Sequence, residues 1–409
     1  MIHTVDSGEK NIIGLALLTA ACLIGDSMLY IALPTHWKEA GLNSLWEVGV
    51  LLSINRLVRL PLNPIVGCLY KKINTRQGVL FASLLTLVTT LSYGFVKGFF
   101  PLLLIRCIWG LAWTFLRMGS YFVIFDCSTE SNRGHCMGLF NGLYRLGSLV
   151  GMLAGGFIAD YYGLPITALI FGTITLLSIP IAFIWISISD VNRTSIEKNN
   201  MSKSMLWKNH TIFWTLMTGM LVSLIYQGIF AATLSYLVQI HNSAIITISG
   251  ITLGAASLAG ILQAIRWGWE PWLAPLVGKK SDGTYSRRMI LIASLLFASI
   301  LFVLIPLNIP LAPWLLIIIS IQLTATALTT ITDAIASDAA SVSSKFLVLT
   351  AYSIAVDIGA AIGPFLAYLL NTYIETYAAY WLSVILLLVM TIVWLIPGKT
   401  TSQTIYPIN

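Results

Sequence analysis

Ten ionisable side chains interrupt the apolar stretches of this 409-residue chain: Asp26, Arg56, Arg59, Arg106, Arg117, Arg145, Arg266, Glu270, Asp333 and Asp357. Placing one near a bilayer centre costs about 2.5–3.5 kcal/mol, so each is expected to face a protein interior or a water-filled cavity and to find a partner. Asp26 is the first candidate for proton coupling, because a carboxyl in an apolar cavity can load and release a proton near neutral pH. The competing reading is a permanent ion pair with Arg106 or Arg117. Asp333 is the second candidate. Its neighbours Thr324, Thr326, Thr329, Thr330 and Thr332 form a polar stripe that suits a cavity wall or interhelical hydrogen bonding. Arg56, Arg59, Arg106, Arg117, Trp113 and Gln227 are the candidate lining of a substrate cavity. Six arginines against four acids favour an anionic or carboxylate-bearing solute, since guanidinium forks match carboxylates. A pump for lipophilic cations would present a net acidic cavity instead. Trp109, Trp113, Trp267, Trp269 and Trp272 crowd near these charges, where they either shape the cavity or belong to interfacial belts.

The elements that must position these groups are helices of membrane length. The chain is 57% hydrophobic and 10% charged, which excludes a soluble domain and defines an integral membrane protein. Apolar runs predict twelve helices, over 12–34, 46–70, 77–97, 100–125, 137–160, 164–188, 211–240, 245–277, 288–306, 312–338, 346–371 and 376–397. The first run is too long for a secretory core and is read as a retained helix. Lysine and arginine concentrate in the loops on the side of the termini, from Lys71, Lys72 and Arg76 through Lys345. The opposite loops offer Lys38 and Lys97. That asymmetry predicts cytoplasmic termini in a multi-pass cytoplasmic (inner) membrane protein. The net charge of +7 is therefore a topology signal and implies no nucleic-acid partner. Five cysteines show no metal-ligand spacing and predict no disulfide. Asn192-Arg-Thr194 and Asn209-His-Thr211 fit a glycosylation pattern on what this topology makes the cytoplasmic side.

The chain repeats itself. Residues 189–210 are the one long polar stretch, and they separate a first six-helix bundle (1–188) from a second (211–409). Pro64-Ile-Val-Gly67 recurs as Pro275-Leu-Val-Gly278. Asp126 and Arg133 recur as Asp338 and Lys345, and Gly147 and Gly151 as Gly359 and Gly363, at an offset of 211 or 212 residues. Repeats of this kind suit a transporter with its site between the halves. Gly138, Gly147, Gly151, Gly155 and Gly156 line the fifth span as small residues that let a neighbouring helix approach closely, a packing hinge. Gly363-Pro364 predicts a kink in span eleven, where proline removes a backbone bond.

These motifs together resemble the major facilitator superfamily, in the branch of drug and metabolite:proton antiporters, across essentially the whole chain. Gly278-Lys-Lys-Ser-Asp282-Gly-Thr-Tyr-Ser-Arg287-Arg288 looks like its loop motif. The first-half copy from Gly67 carries Lys71 where the family places an aspartate. Arg106-Cys-Ile-Trp-Gly110 resembles the fourth-helix arginine motif, and Asp26-Ser-Met-Leu-Tyr-Ile-Ala-Leu-Pro34 the first-helix element. The fifth-span glycines resemble the exporter motif, with Met152 in place of its proline. The resemblance implies an all-α fold of two pseudo-symmetric six-helix bundles, alternating access, and packing of helix two on eleven and five on eight.

Under that packing the repeat alignment swaps charge signs, Arg59 against Glu270 and Arg145 against Asp357. This predicts gating bridges Arg145–Glu270 and Arg56/Arg59–Asp357 that close the cytoplasmic side, with Arg266 beside them. The function expected is proton-coupled export of a small anionic solute, such as a carboxylate siderophore, metabolite or drug. The alternative is proton-linked uptake of an anionic metabolite or siderophore, and a non-transporting receptor is remote. No enzyme is expected: H-E-x-x-H, G-x-S-x-G and nucleotide-binding loops are missing. The partners expected are the solute, protons and the lipid bilayer, for a monomer driven by the proton gradient without cofactor or metal.

Overall fold

A computed structural model describes residues 7–70, 72–128, 133–186, 209–241, 246–248, 251–282, 287–341 and 345–396. Most of the inter-bundle stretch 189–210 lies outside these residues, as does Lys71, and so do the side chains of Arg133, Asp282 and Lys345. Twelve spans are present among the described residues: α1 (Ser7–Ala32), α2 (Leu45–Leu69), α3 (Thr75–Ser92), α4 (Phe99–Cys127), α5 (133–162), α6 (164–185), α7 (His210–His241), α8 (Ala255–Asp282), α9 (Arg287–Leu304), α10 (Leu311–Ser341), α11 (Lys345–Tyr373) and α12 (Ala378–Leu395). α5 and α6 run on through Gly163, whose φ of 79° breaks the helical path. Glycine fits this left-handed turn without steric cost. The Glu39 carboxylate then accepts the Leu164 N–H at 3.1 Å, which places negative charge on the free amides that open α6.

Two local departures from helix were not expected. The apolar run from residue 245 does not start α8. Its first part pairs as a short antiparallel hairpin, β1 (Ile246–Ile248) against β2 (Ile251–Leu253). The β-branched Ile-Thr-Ile and Ile-Thr flanking Ser249-Gly250 carry that signal in the sequence. Within α7, Leu224–Phe230 is a π-helical stretch.

The described chain forms two compact units. The first comprises Met1–Lys198, Leu224–Trp269 and Asp357–Ala379, and the second comprises Asn199–Ser223, Glu270–Val356 and Tyr380–Asn409. In the first, Ile12, Leu15, Trp109, Trp113, Leu116 and Phe140 belong to one buried core. In the second, Ile212 and Leu216 of α7 cluster with Val348 and Ala355 of α11. Apolar side chains are also exposed along helix faces, among them Leu84, Val88, Leu104, Leu316, Ile385 and Ile392. On a membrane protein such a surface meets lipid rather than water.

The fifth-span glycines have a definite job. A Cβ on Gly147, Gly151 or Gly155 would run into Ala20, Ile24 or Met28, so α5 lies backbone to backbone along α1 at a four-residue repeat. Gly156 turns elsewhere, against Ala256 at the start of α8. Gly67 and Gly138 meet nothing within 4 Å, and Gly278 has one methyl at that limit, so no described neighbour requires glycine there. The repeat is also visible in three dimensions. Arg76 at the start of α3 donates to the Phe183 carbonyl at 2.9 Å near the end of α6. Arg288 at the start of α9 donates to the Trp394 carbonyl at 2.8 Å, and to those of Leu395 and Ile396, at the end of α12. The pairs stand 212 and 211 residues apart, and each satisfies orphan carbonyls at a helix end.

Candidate functional site

Asp26 is held. The Arg106 guanidinium pairs directly with its carboxylate, Asn55 reaches the same oxygen at 3.4 Å, and the two side chains of the pair are 1% and 9% exposed. Arg106 also donates to the Leu51 carbonyl at 2.8 Å and lies 3.5 Å from the Tyr93 hydroxyl. A small cavity walled by Leu29, Leu33, Leu51, Leu102 and Leu164 adjoins the guanidinium. Of the two arginines expected as partners, Arg106 makes the contact, and Arg117 is engaged elsewhere.

A second set of cations in the same unit is held more loosely. Arg59 lies over Trp109 and Trp113, 5.3 Å from each ring centre, and those indoles stack 5.7 Å apart and 11° from parallel. No carboxylate pairs with Arg59 among the described residues, and its Nε has no hydrogen-bond partner. Arg56, one turn earlier on α2, lies over Tyr30 and donates to its hydroxyl at 3.3 Å. Trp113 touches Tyr144 edge-on, and the next residue, Arg145, lies over Trp267, which also meets Arg266.

Asp357 does not take the partner expected from depth alone. Its carboxylate faces Arg117 of α4 at 3.7 Å, both side chains being 39% exposed, and neither Arg56 nor Arg59 is within ion-pair distance. Depth in the membrane limits which groups can meet, but the helix face on which each side chain leaves decides which do. Arg117 is steadied by the Tyr121 hydroxyl, which accepts from its Nε at 2.9 Å. Of the other expected gating pair, Arg145 belongs to the first unit and Glu270 to the second.

Beside the Arg117–Asp357 pair, first-half and second-half helices of the first unit also meet through hydrogen bonds and close backbone contacts. Asp160, near the end of α5, accepts both the backbone N–H and the hydroxyl of Ser257, each at 2.6 Å, at the N-terminus of α8. A carboxylate there satisfies free amides and complements the helix dipole. Ser53 of α2 accepts the Phe365 N–H at 2.9 Å, directly after Pro364 in α11. Gly49 meets the Pro364 carbonyl and Tyr368, and Gly228 of the π-helical stretch meets Gly363 of α11, Cα against Cα. Gln227, half-buried, sits beside that contact. Sequence reasoning passed over Asp160 and Ser53. The available signal was an acid one repeat of the small-residue ridge beyond Gly156.

In the second unit Asp333 is exposed and accepts the Tyr352 hydroxyl at 2.7 Å, while Arg287 pairs with Asp338 at 2.5 Å. The threonine stripe of α10 bonds inward on its own helix. Thr324, Thr326, Thr329, Thr330 and Thr332 all donate to carbonyls three or four residues earlier. These bonds use the hydroxyl protons and leave the oxygens as acceptors.

Twelve spans, a repeated half, and buried charges inside the bundle define a membrane transporter of the secondary type. The sequence profile of the major facilitator superfamily matches residues 15–269 and 272–405, and the chain belongs to that family. It is a transporter and not an enzyme. It is 24% identical over 264 residues to the uncharacterized MFS-type transporter MJ1560 of Methanocaldococcus jannaschii, covering 63% of this chain and 66%, just under two thirds, of that relative. It is 24% identical over 294 residues to the multidrug resistance protein MdtG of Escherichia fergusonii, covering 70% of this chain and 69% of that one. In fold it is similar to the nucleoside transporter NupG, with a TM-score of 0.74, 11% identity and coverage of 95% and 99%. It is also similar to a bacterial homologue of the human lysosomal transporter Spinster, solved inward-facing and unoccupied, at TM-score 0.69, 13% identity and coverage of 95% and 96%.

Proposed function

We propose that this transporter carries a small carboxylate-bearing or otherwise anionic solute, coupled to protons, by alternating access across a cytoplasmic (inner) membrane with both termini inside. The observation that supports this most is Arg59, a cation inside the membrane span that lies over two indoles and makes no direct ion pair among the described residues, backed by Arg56 and Arg117. A guanidinium there that makes no direct ion pair keeps its donors available for an anion. Asp357 is the proton-coupling carboxylate this geometry favours over Asp26. Export is supported by the likeness to the multidrug resistance protein MdtG and by the α5 glycine ridge, and a carboxylate siderophore would suit the charges. A second reading, proton-linked uptake of an anionic metabolite or siderophore, is favoured by the Arg117–Asp357 pair, because an anion bound at Arg117 stabilises the protonated acid.

The test compares carboxylate metabolites in cells and medium of a deletion strain and its parent, iron limitation first. The solute found is then followed in proteoliposomes under an imposed proton gradient. Flux of an anion that an uncoupler abolishes is expected, and its sign separates export from uptake. A lipophilic cation as solute, or flux indifferent to the uncoupler, overturns the proposal.

A further inference from the structure

The Arg106 guanidinium is enclosed by protein, yet one of its nitrogens is left over. Nε donates to the Leu51 carbonyl, and Nη1 to Asp26 with the Tyr93 hydroxyl 3.5 Å away. Nη2 has no acceptor among the described residues, although the side chain is 1% exposed. A buried guanidinium keeps all five of its donors, and one left without an acceptor loses the hydrogen bond it made to water in the unfolded chain. Tyr93, directly after α3, is buried as well, and its hydroxyl meets Arg106 alone among the described residues.

The cavity walled by Leu29, Leu33, Leu51 and Leu102 is lined by both of these polar groups. Its volume is about 10 Å³, room for one water molecule. Leucine walls by themselves would keep such a space dry, but a guanidinium and a phenol supply the two polar partners a buried water needs. An anion does not suit it. Asp26 already matches the charge of Arg106, so a second anion would be buried without a cation of its own. An apolar occupant would leave the Nη2 donors unmet.

We infer that this cavity is a binding site for a single water molecule, which accepts from Arg106 Nη2 and hydrogen-bonds the Tyr93 hydroxyl. The water completes the acceptors of a sealed arginine and joins the end of α3 to α4 beside Asp26. The site stands apart from the solute and from the direction of its transport.

Radiolytic labelling tests this on the full-length protein in nanodiscs. An X-ray pulse converts a bound water to a hydroxyl radical where it sits, and mass spectrometry finds the oxidised side chain. Tyr93, Leu33 and Leu102 are expected to be oxidised several-fold more than Tyr70, Leu15 and Leu18, which are equally buried and do not line the cavity. Leu102→Phe fills the space, and labelling of Tyr93 and Leu33 should then fall to the level of those controls. Leu33→Met, a smaller filler read at Tyr93 and Leu102, guards against a phenylalanine variant that misfolds. Tyr93→Phe keeps the shape but removes one partner, and labelling at Leu33 and Leu102 should drop several-fold. Wild-type labelling no higher than the controls, or labelling that survives both fillers, overturns the inference. So does xenon under pressure entering the wild-type cavity, since xenon settles in dry apolar space.

Discussion

Arg106 and Arg117 leave the same helix, α4, about three turns apart. Each faces an aspartate, yet the two pairs are built differently. Arg106–Asp26 is in direct contact, nearly sealed, and reinforced by Asn55 and the Leu51 carbonyl. Arg117–Asp357 is separated by 3.7 Å, two-fifths exposed, and supported by the Tyr121 hydroxyl on the arginine side. Desolvated charges are stable only with their full complement of partners, so the first pair is expected to act as scaffolding between α1, α2 and α4. The second pair is more open and more widely spaced, so separating it is expected to cost less.

Four variants break or sharpen that contrast. Arg106→Ala strands Asp26 in an apolar wall, and a loss of about 3–5 kcal/mol is expected, read as a collapse of Tm and of monodisperse yield. If Arg106→Ala melts like wild type, the scaffolding role is refuted. Gly151→Leu drives a side chain into Ile24 and Ser27, on the turn of α1 that carries Asp26. Overpacking there should lower stability by about 1–3 kcal/mol, measured by thermal unfolding. Arg117→Gln should shift stability by less than about 1 kcal/mol, as for an exposed pair, while proton-driven flux falls by an order of magnitude or more. Flux and stability falling together would erase the distinction between the pairs. Arg59→Lys keeps the charge but loses the flat stack on two indoles. A cost of about 0.5–1 kcal/mol is expected, seen as weaker solute binding with little change in maximal flux.

The sequence carried the architecture well and the pairings poorly. Span number and the repeat follow from apolar length and from motifs such as Pro64–Gly67 and Pro275–Gly278. The Arg76 and Arg288 clamps show that the offset near 211 residues is structural. Gly147, Gly151 and Gly155 were legible because a four-residue repeat leaves one face of a helix. Gly138, of the same apparent motif, faces open space, since spacing gives register and not a neighbour. Pairings were harder. Asp357 was matched to Arg56 or Arg59 by depth, whereas it meets Arg117, because azimuth around a helix and side-chain reach depend on packing. Asp26 had two candidate arginine partners on paper, and the contact is with Arg106. The α10 threonines donate to carbonyls of their own helix, a choice that residue type alone does not make.

Arg288, spread over three consecutive carbonyls where α12 ends, acts as a hoop around the second half, as Arg76 does for the first. A last helix tied in this way is held against fraying at its end. Cutting the Arg288 hoop with alanine should therefore speed amide deuteration at the tail of α12 and leave the tail of α6 slow.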